Sequence, residues 1–215
     1  MMNEANTITK QTKLYGFIAE KAQRSRISFV LNKLFRQNGI DAMMLPMNIR
    51  EDDLYFTVAN MKKSHVNGAF IAPEYCDAVT ELLDVYDDAV ARSGFCDFVT
   101  VAEGKLHGTQ IAPVAFAKEC ARSDSAALLR SSPLMGALLL TCNGKEIACY
   151  DEYIESLLAL SERIGRDIDI NRLESSSDLS GYAFVLDTKA YDFENYVEPF
   201  AQAIFEKVKG GRDAR

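Results

Sequence analysis

The chain has 215 residues, of which 48% are hydrophobic and 26% are charged, enough for one large domain or two small ones around a buried core. Its net charge of −7 argues against a nucleic-acid surface, because phosphate binding needs clustered lysine and arginine. No apolar run approaches the roughly 20 residues that span a bilayer, and the N-terminus lacks the pattern of a signal peptide. We therefore expect a cytoplasmic protein without a nucleic-acid or membrane partner.

The first half of the chain alternates between strand and helix patterns. The predicted elements are a strand at 13–18, a helix at 26–38, a strand at 43–47, a helix at 52–63, a strand at 69–72, helical turns across 75–92, and a hairpin with strands at 98–101 and 105–107. Pro46 should confine the second strand to a sheet edge or to its end, because proline cannot donate a ladder hydrogen bond. This order is typical of an α/β domain, which we place at residues 1–116.

A serine-rich segment with Pro133 as a breaker follows and marks the best domain boundary. The elements predicted beyond it are a buried strand at 137–140, a long helix at 145–165, strands at 167–170 and 182–186, and a final helix at 193–208. Their order predicts a smaller α/β domain with parallel strands at residues 117–215.

The five cysteines indicate neither disulfides nor a metal site. They form no Cys-x-x-Cys pair, and the two histidines add no spacing that is typical of zinc ligands. We expect all five to be reduced and mostly buried, and we expect no bound metal.

Six segments of the first half follow one another at characteristic spacings. They are KLYGFI (13–18), RSR (24–26), LNKLF (31–35), GAFIAPEYCDAV (68–79), GFCDFV (94–99) and GKLHG (104–108). In this order they resemble the substrate-binding domain of the shikimate dehydrogenases, over residues 13–116. The resemblance implies such a domain followed by a reduced Rossmann-like domain, in an NADP-dependent oxidoreductase family of aromatic amino acid biosynthesis.

The resemblance also implies that the reactive groups have been replaced. The family motif Asn-Val-Thr-(Ile/Val)-Pro-(His/Tyr/Phe)-Lys aligns without gaps on residues 70–76, so that the catalytic lysine is Cys76. The catalytic aspartate of Gly-x-Asn-Thr-Asp falls on Ala112. A thiol cannot replace an ammonium group in proton transfer, so the acid–base pair is missing. Cys76 could still be a nucleophile, although no histidine lies near it in the sequence.

Four residues remain as candidates for substrate binding. Ser25 matches the first serine of the family's Ser-x-Ser loop, which holds the substrate carboxylate, and the neighbouring arginines could grip such a group; the alternative is a helix start with solvated charges. Asp97 replaces the substrate-binding asparagine and would repel a carboxylate ligand. Gln110 stands where the second motif has its asparagine, and Tyr75 lies beside the lysine position.

The cofactor prediction rests on two short matches. Residues 140–145 would form the phosphate-binding turn, but they contain a single glycine, Gly144, and could equally be a plain strand–helix turn. Asn171 and Arg172 resemble the Asn-Arg-Thr segment with which NADP-preferring members contact the ribose phosphate. We expect no cofactor, with NADP as the one that the resemblance allows.

Three functions are compatible with these observations. The first is a shikimate dehydrogenase-like protein without catalysis that binds a small molecule or regulates another protein. The second is a diverged oxidoreductase, or another enzyme, acting in the same cleft through Cys76, Asp97, Tyr75 and Gln110. The third is a structural subunit, and a homo-oligomer or a protein partner is compatible with each of these hypotheses.

Overall fold

The structure is a computed structural model, and it describes residues 8–120, 125–128, 134–141, 146–174, 184–186 and 196–210. Two sheets are present in these residues, one of six strands in the first half of the chain and one of four strands in the second. The mixed α/β fold class expected from the sequence is confirmed.

The first sheet is mixed: three parallel strands continue into an antiparallel hairpin, and a two-residue strand pairs in parallel with that hairpin at the far edge. Its strands and helices are β1 (Lys13–Ala19), α1 (Ile27–Gln37), β2 (Ala42–Asn48), α2 (Glu51–Asn60), β3 (Val66–Ile71), β4 (Val85–Tyr86), α3 (Asp88–Ser93), β5 (Phe98–Ala102), β6 (Lys105–Thr109) and α4 (Ala112–Cys120). The strand order is β2-β1-β3-β5-β6-β4. As Pro46 predicted, β2 lies at an edge, where a missing ladder donor costs little.

Residues 75–92, predicted as interrupted helical turns, form two 3-10 turns (Pro73–Tyr75 and Ala78–Leu82), then β4 and α3. The interruption is fixed by Asp84, whose carboxylate accepts a hydrogen bond from Leu106 N at 2.7 Å and pairs with Lys62. Asp87 then accepts a bond from Val90 N and caps α3. Side chains that reach distant partners therefore divide this segment into shorter pieces.

The second sheet is fully parallel. Its elements are β7 (Ser125–Leu128), α5 (Leu134–Thr141), β8 (Glu146–Cys149), α6 (Asp151–Ile164), β9 (Asp169–Arg172), β10 (Phe184–Leu186) and α7 (Val197–Gly210). The strand order β10-β7-β8-β9 places the first strand of this half between its second and its fourth, which is the arrangement of half a Rossmann sheet. The predicted boundary at residue 116 falls inside α4.

Two predicted elements of the second half are wrong, and one strand was missed. Residues 137–140 lie in α5 and not in a strand, and residues 146–149 form β8 and not the first turn of a helix. The missed strand is β7, in the serine-rich segment. Short apolar runs do not distinguish a buried strand from a buried helix, because both hide every side chain. Here α5 packs against α3, α4 and α6, which buries it on nearly all sides.

The last helix, α7, returns to the first half of the chain and packs against α1 and α4. Phe200 lies 5.4 Å from the rings of both Phe70 and Phe116, measured between ring centroids. This confirms the packing role that its apolar face predicted. Among the described residues, no helix is both long enough and apolar enough to cross a bilayer.

Candidate functional site

The carboxyl ends of β1, β2 and β3 meet at one edge of the first sheet, and the loops that follow them form the candidate cleft. Ile49 N, after β2, donates to Ala19 O at 3.0 Å, and Ala72 N, after β3, donates to Ile18 O at 2.9 Å. These bonds hold the three loops side by side. Because parallel strands end at the same edge, residues that are distant in the sequence converge here.

Ser25 lies in the loop between β1 and α1 and is half-buried. Its Oγ accepts a hydrogen bond from Ile27 N at 3.1 Å, at the start of α1. At the second residue of that helix, the Oγ of Ser28 is buried and has no hydrogen-bond partner among the described residues. The loop that was predicted to grip a carboxylate therefore has one hydroxyl engaged by the backbone and one that is not.

Glu74 follows β3 at the same edge and was missed by the sequence analysis. Its Oε1 accepts a hydrogen bond from Glu20 N at 3.1 Å, while its Oε2 is buried without a partner among the described residues. Burial raises the pKa of this carboxyl above its ordinary value, against the opposing effect of the backbone hydrogen bonds. The only sequence signal for this residue is its position directly after Pro73, which begins the 3-10 turn that follows β3.

Tyr75 and Cys76 both point away from solvent. The hydroxyl of Tyr75 donates to Ile49 O at 2.8 Å. The Cys76 thiol is fully buried and donates to Ile71 O and Ala72 O at 3.5 and 3.4 Å. The gapless alignment of the family motif places its lysine at Cys76. In that alignment Pro73 stands one residue before the motif's proline. If the two prolines are matched instead, the lysine position is Tyr75. Neither side chain carries an ammonium group.

Burial raises the pKa of the Cys76 thiol well above its ordinary value, and the nearby carboxyl of Asp97 adds to the effect. Cys96, whose backbone N donates to Cys76 O, is also buried, and its pKa is raised to about 12. The reactive form of cysteine is the thiolate, and both thiols are held in the neutral form. Cys76 is therefore not an activated nucleophile.

Asp97 precedes β5 and is 1% exposed. Its two carboxylate oxygens accept hydrogen bonds from Ile111 N at 2.5 Å and Ala112 N at 2.7 Å, at the N-terminus of α4. Burial, the largest effect, raises the pKa of Asp97 to about 7, although the backbone hydrogen bonds oppose it. Both oxygens are engaged by the helix, which is a structural task that the sequence did not reveal.

Gln110 also forms hydrogen bonds within the core. Its Nε2 donates to Ala89 O at 3.3 Å, to Phe95 O at 3.0 Å and to Ser93 Oγ at 2.5 Å, while its Oε1 is buried without a partner among the described residues. Ala112, which the sequence resemblance aligns with the family's aspartate, is the first residue of α4 and is fully buried. The structure thus brings Cys76, Asp97 and Ala112 close together in the core. Ser25 contacts the start of α1, and Tyr75 contacts the loop after β2.

The cofactor candidates lie in the second half. Gly144 lies outside the described residues, and the residues before it form α5, so it does not follow the first strand of this half. The segment that joins β7 to α5, residues 129–133, contains no glycine. Asn171 and Arg172 end β9, and not the second strand, β8. Asn171 donates to the Glu146 carboxylate, and Arg172 pairs with Asp151 at 2.5 Å.

The residues at the carboxyl ends of β8 and β9 do not fit the 2′-phosphate of NADP. In dinucleotide-binding folds, this phosphate needs a free arginine beside the ribose. Among the described residues here, Arg172 is already paired with Asp151, and Glu152 adds a second carboxylate. Nor do the described residues contain a group of three or more His, Cys, Asp or Glu side chains placed to hold a metal ion.

Comparison with known proteins supports the same architecture. The NADP(+)-dependent shikimate dehydrogenase of Pyrococcus furiosus is 29% identical over 101 residues, which cover 47% of this chain and 37% of that protein. The chain thus spans well under half of this curated relative. No protein-family model matches it.

Two solved structures share the fold. The shikimate dehydrogenase of Aquifex aeolicus has a TM-score of 0.71 and 20% identity, over 86% of this chain and 71% of that one. A shikimate dehydrogenase in complex with NADP+ has a TM-score of 0.73 and 15% identity, over 85% and 68% of the two chains. The fold is that of a substrate-binding domain followed by a Rossmann-like domain. The chain is thus similar to the shikimate dehydrogenases, in sequence over 101 residues and in fold over most of its length.

Proposed function

We propose that this shikimate dehydrogenase-like protein has no shikimate dehydrogenase activity and serves as a small-molecule-binding or regulatory module. The observation that carries the proposal is the state of the two proton-transfer positions. Cys76 and Ala112 are both fully buried, and neither can exchange a proton with a ligand near neutral pH. Oxidation of a hydroxyl group requires a base that accepts its proton, and neither of these two positions supplies one.

The binding part of the proposal is supported by side chains at the carboxyl end of β1, in the loop before α1 and in its first turn. Arg24 is exposed beside Ser25, and the Ser28 hydroxyl has no hydrogen-bond partner among the described residues. A guanidinium and a hydroxyl together suit a carboxylate, which accepts several charge-assisted hydrogen bonds. A small hydroxylated carboxylic acid, such as shikimate or quinate, is therefore the ligand class that we expect.

The test combines an activity assay with a binding assay on the full chain. We expect no reduction of NADP or NAD with shikimate or quinate, followed by absorbance of the reduced cofactor. We also expect isothermal titration calorimetry to detect binding of at least one of the two acids. Replacing Arg24→Ala should weaken that binding about tenfold, which corresponds to about 1.4 kcal/mol for one charge-assisted contact. Arg36→Ala, at the far end of α1, is the matched control.

The outcomes separate the two halves of the proposal. Robust oxidation of shikimate would overturn the loss of activity, and the absence of binding to either acid would overturn the binding module. A diverged enzyme in the same cleft is the second candidate, and Glu74 favours it, because a part-buried carboxyl with a raised pKa can transfer protons. Activity that Glu74→Gln abolishes while Cys76→Ala leaves it intact would support that candidate instead.

A further inference from the structure

The carboxyl ends of β8 and β9 border an open surface depression of about 560 Å³. It lies at the carboxyl end of the second sheet and shares no lining residue with the candidate cleft of the first sheet. The residues that line it are Tyr150, Asp151, Glu152, Arg172, Leu173 and Glu174. Of these residues, the sequence predicted a functional role only for Arg172, as a contact to the ribose phosphate.

Topology gives this depression a place in the dinucleotide-binding architecture. In a parallel sheet of this order, ligands lie outside the carboxyl ends of the strands. The side chain that meets the adenosine ribose follows the second strand, about 20 residues beyond the phosphate turn. Asp151 occupies that place, two residues after the end of β8 and at the first position of α6. An acidic residue there suits a free 2′-hydroxyl, and an arginine suits a 2′-phosphate.

The chain carries both an acidic residue and an arginine here, and the ion pair between them leaves the arginine less able to bind a phosphate. Arg172 Nε lies 2.5 Å from Asp151 Oδ1, so the positive charge of the guanidinium is largely neutralised. Glu152 follows Asp151 in the first turn of α6 and adds a negative charge. Both carboxylates also occupy the positive end of the helix dipole, which would otherwise attract a phosphate.

We propose that the carboxylates of Asp151 and Glu152 exclude a 2′-phosphorylated adenosine from this depression, so that NADP is not a ligand of the chain. A 2′-phosphate carries up to two negative charges and would lie against two carboxylates with the neighbouring arginine already paired. A ribose with a free 2′-hydroxyl carries no such charge and is not repelled. The inference concerns binding and does not depend on whether the cleft of the first half is catalytic.

The experiment compares NADP and NAD on the full chain by isothermal titration calorimetry at low ionic strength. The variants are Asp151→Asn, Glu152→Gln and the double change, all at exposed positions. We expect the double variant to gain at least tenfold in NADP affinity relative to NAD, because the repulsion is removed and Arg172 is released. Glu162→Gln, on the last turn of α6, removes the same charge about 16 Å away along the helix and should leave the ratio unchanged.

Salt provides an independent readout. Exposed charges are screened beyond about 8 Å at physiological ionic strength, so the difference between the native chain and the double variant should shrink as salt rises. Two results would overturn the proposal. The first is native protein that binds NADP as tightly as NAD. The second is a double variant whose NADP binding stays at the native level, whether that level is measurable or zero.

Discussion

Asp97 illustrates how a single position can change its task within a preserved fold. The family resemblance places a substrate-binding asparagine there, but in this structure both carboxylate oxygens accept backbone N–H groups at the start of α4. An asparagine has one acceptor oxygen and an NH₂ group that would face a backbone donor. The aspartate therefore suits the helix end better than the asparagine would, and its charge is the cost of that fit.

The raised pKa of Asp97 makes that cost depend on pH. Its pKa rises from the ordinary 3.8 to about 7 on folding, so stability from this group is complete below about pH 4 and is lost as pH rises to about 7. The loss is on the order of 4 kcal/mol. Urea unfolding from pH 4 to pH 8 should show a fall in unfolding free energy that is reduced in Asp97→Asn, apart from a constant offset.

The control for this titration is Asp52→Asn, which removes an exposed carboxylate from the first turn of α2. It should follow the native pH dependence closely. If Asp97→Asn also ran parallel to the native curve across this range, the carboxyl would not titrate as its burial indicates.

At the scale of single elements, α5 shows why the second half was misassigned. Its apolar residues are uninterrupted, so no period distinguished helix from strand. The helix is placed by close contact with the segment after α3. A Cβ at Gly136 would lie 2.5 Å from Cε1 of Phe95, a ring that is itself 2% exposed. Glycine is required there because the helix approaches the aromatic ring without space for a methyl group.

We expect Gly136→Ala to lower the free energy of unfolding by up to about 2 kcal/mol. Overpacking a buried site costs about 1–3 kcal/mol, and the better helix propensity of alanine returns about 1 kcal/mol. Gly210→Ala, at the end of α7 with nothing near its Cβ, provides the control and should not destabilise. Chemical denaturation measures both. Equal stability of the two variants would mean that α5 can shift away from Phe95 at little cost.

At the scale of the whole molecule, the chain returns on itself. The final helix packs against α1 and α4, so that the last described residues complete the core of the first half. Phe200 joins Phe70 of β3 to Phe116 of α4 in one aromatic cluster. The two halves are therefore joined by α7 as well as by the contacts of α5 and α6 with α3.

Removing this aromatic link tests the coupling. Phe200→Ala should lower the free energy of unfolding by about 3–5 kcal/mol, the range for a buried phenylalanine. Phe56→Ala, where the side chain is 72% exposed on α2, should change it by no more than about 0.5 kcal/mol. Thermal denaturation followed by circular dichroism would compare them. A small effect at Phe200 would show that α7 is not needed to close the core of the first half.

The sequence by itself determined the first half of the fold. Pro46, the hairpin glycine and the alternation of strand and helix patterns are local signals, and the structure places β2 at an edge and a positive φ at Gly104 in agreement with them. The family resemblance over residues 13–116 came from ordered segments that such local geometry preserves. The predicted replacement of the reactive residues likewise rests on the residue types alone.

Only the tertiary structure decided which side chains are buried by the fold and which lie at the strand ends. Asp97 and Gln110 form hydrogen bonds with the helices around them, and Cys76 is buried. Glu74 and Asp151 lie at the strand ends. In the second half it assigned β7 and β8 as strands and α5 as a helix. The physical reason is that these outcomes depend on pairing and packing between distant segments, whereas a short apolar run or a single polar residue carries no record of the partner that it will meet.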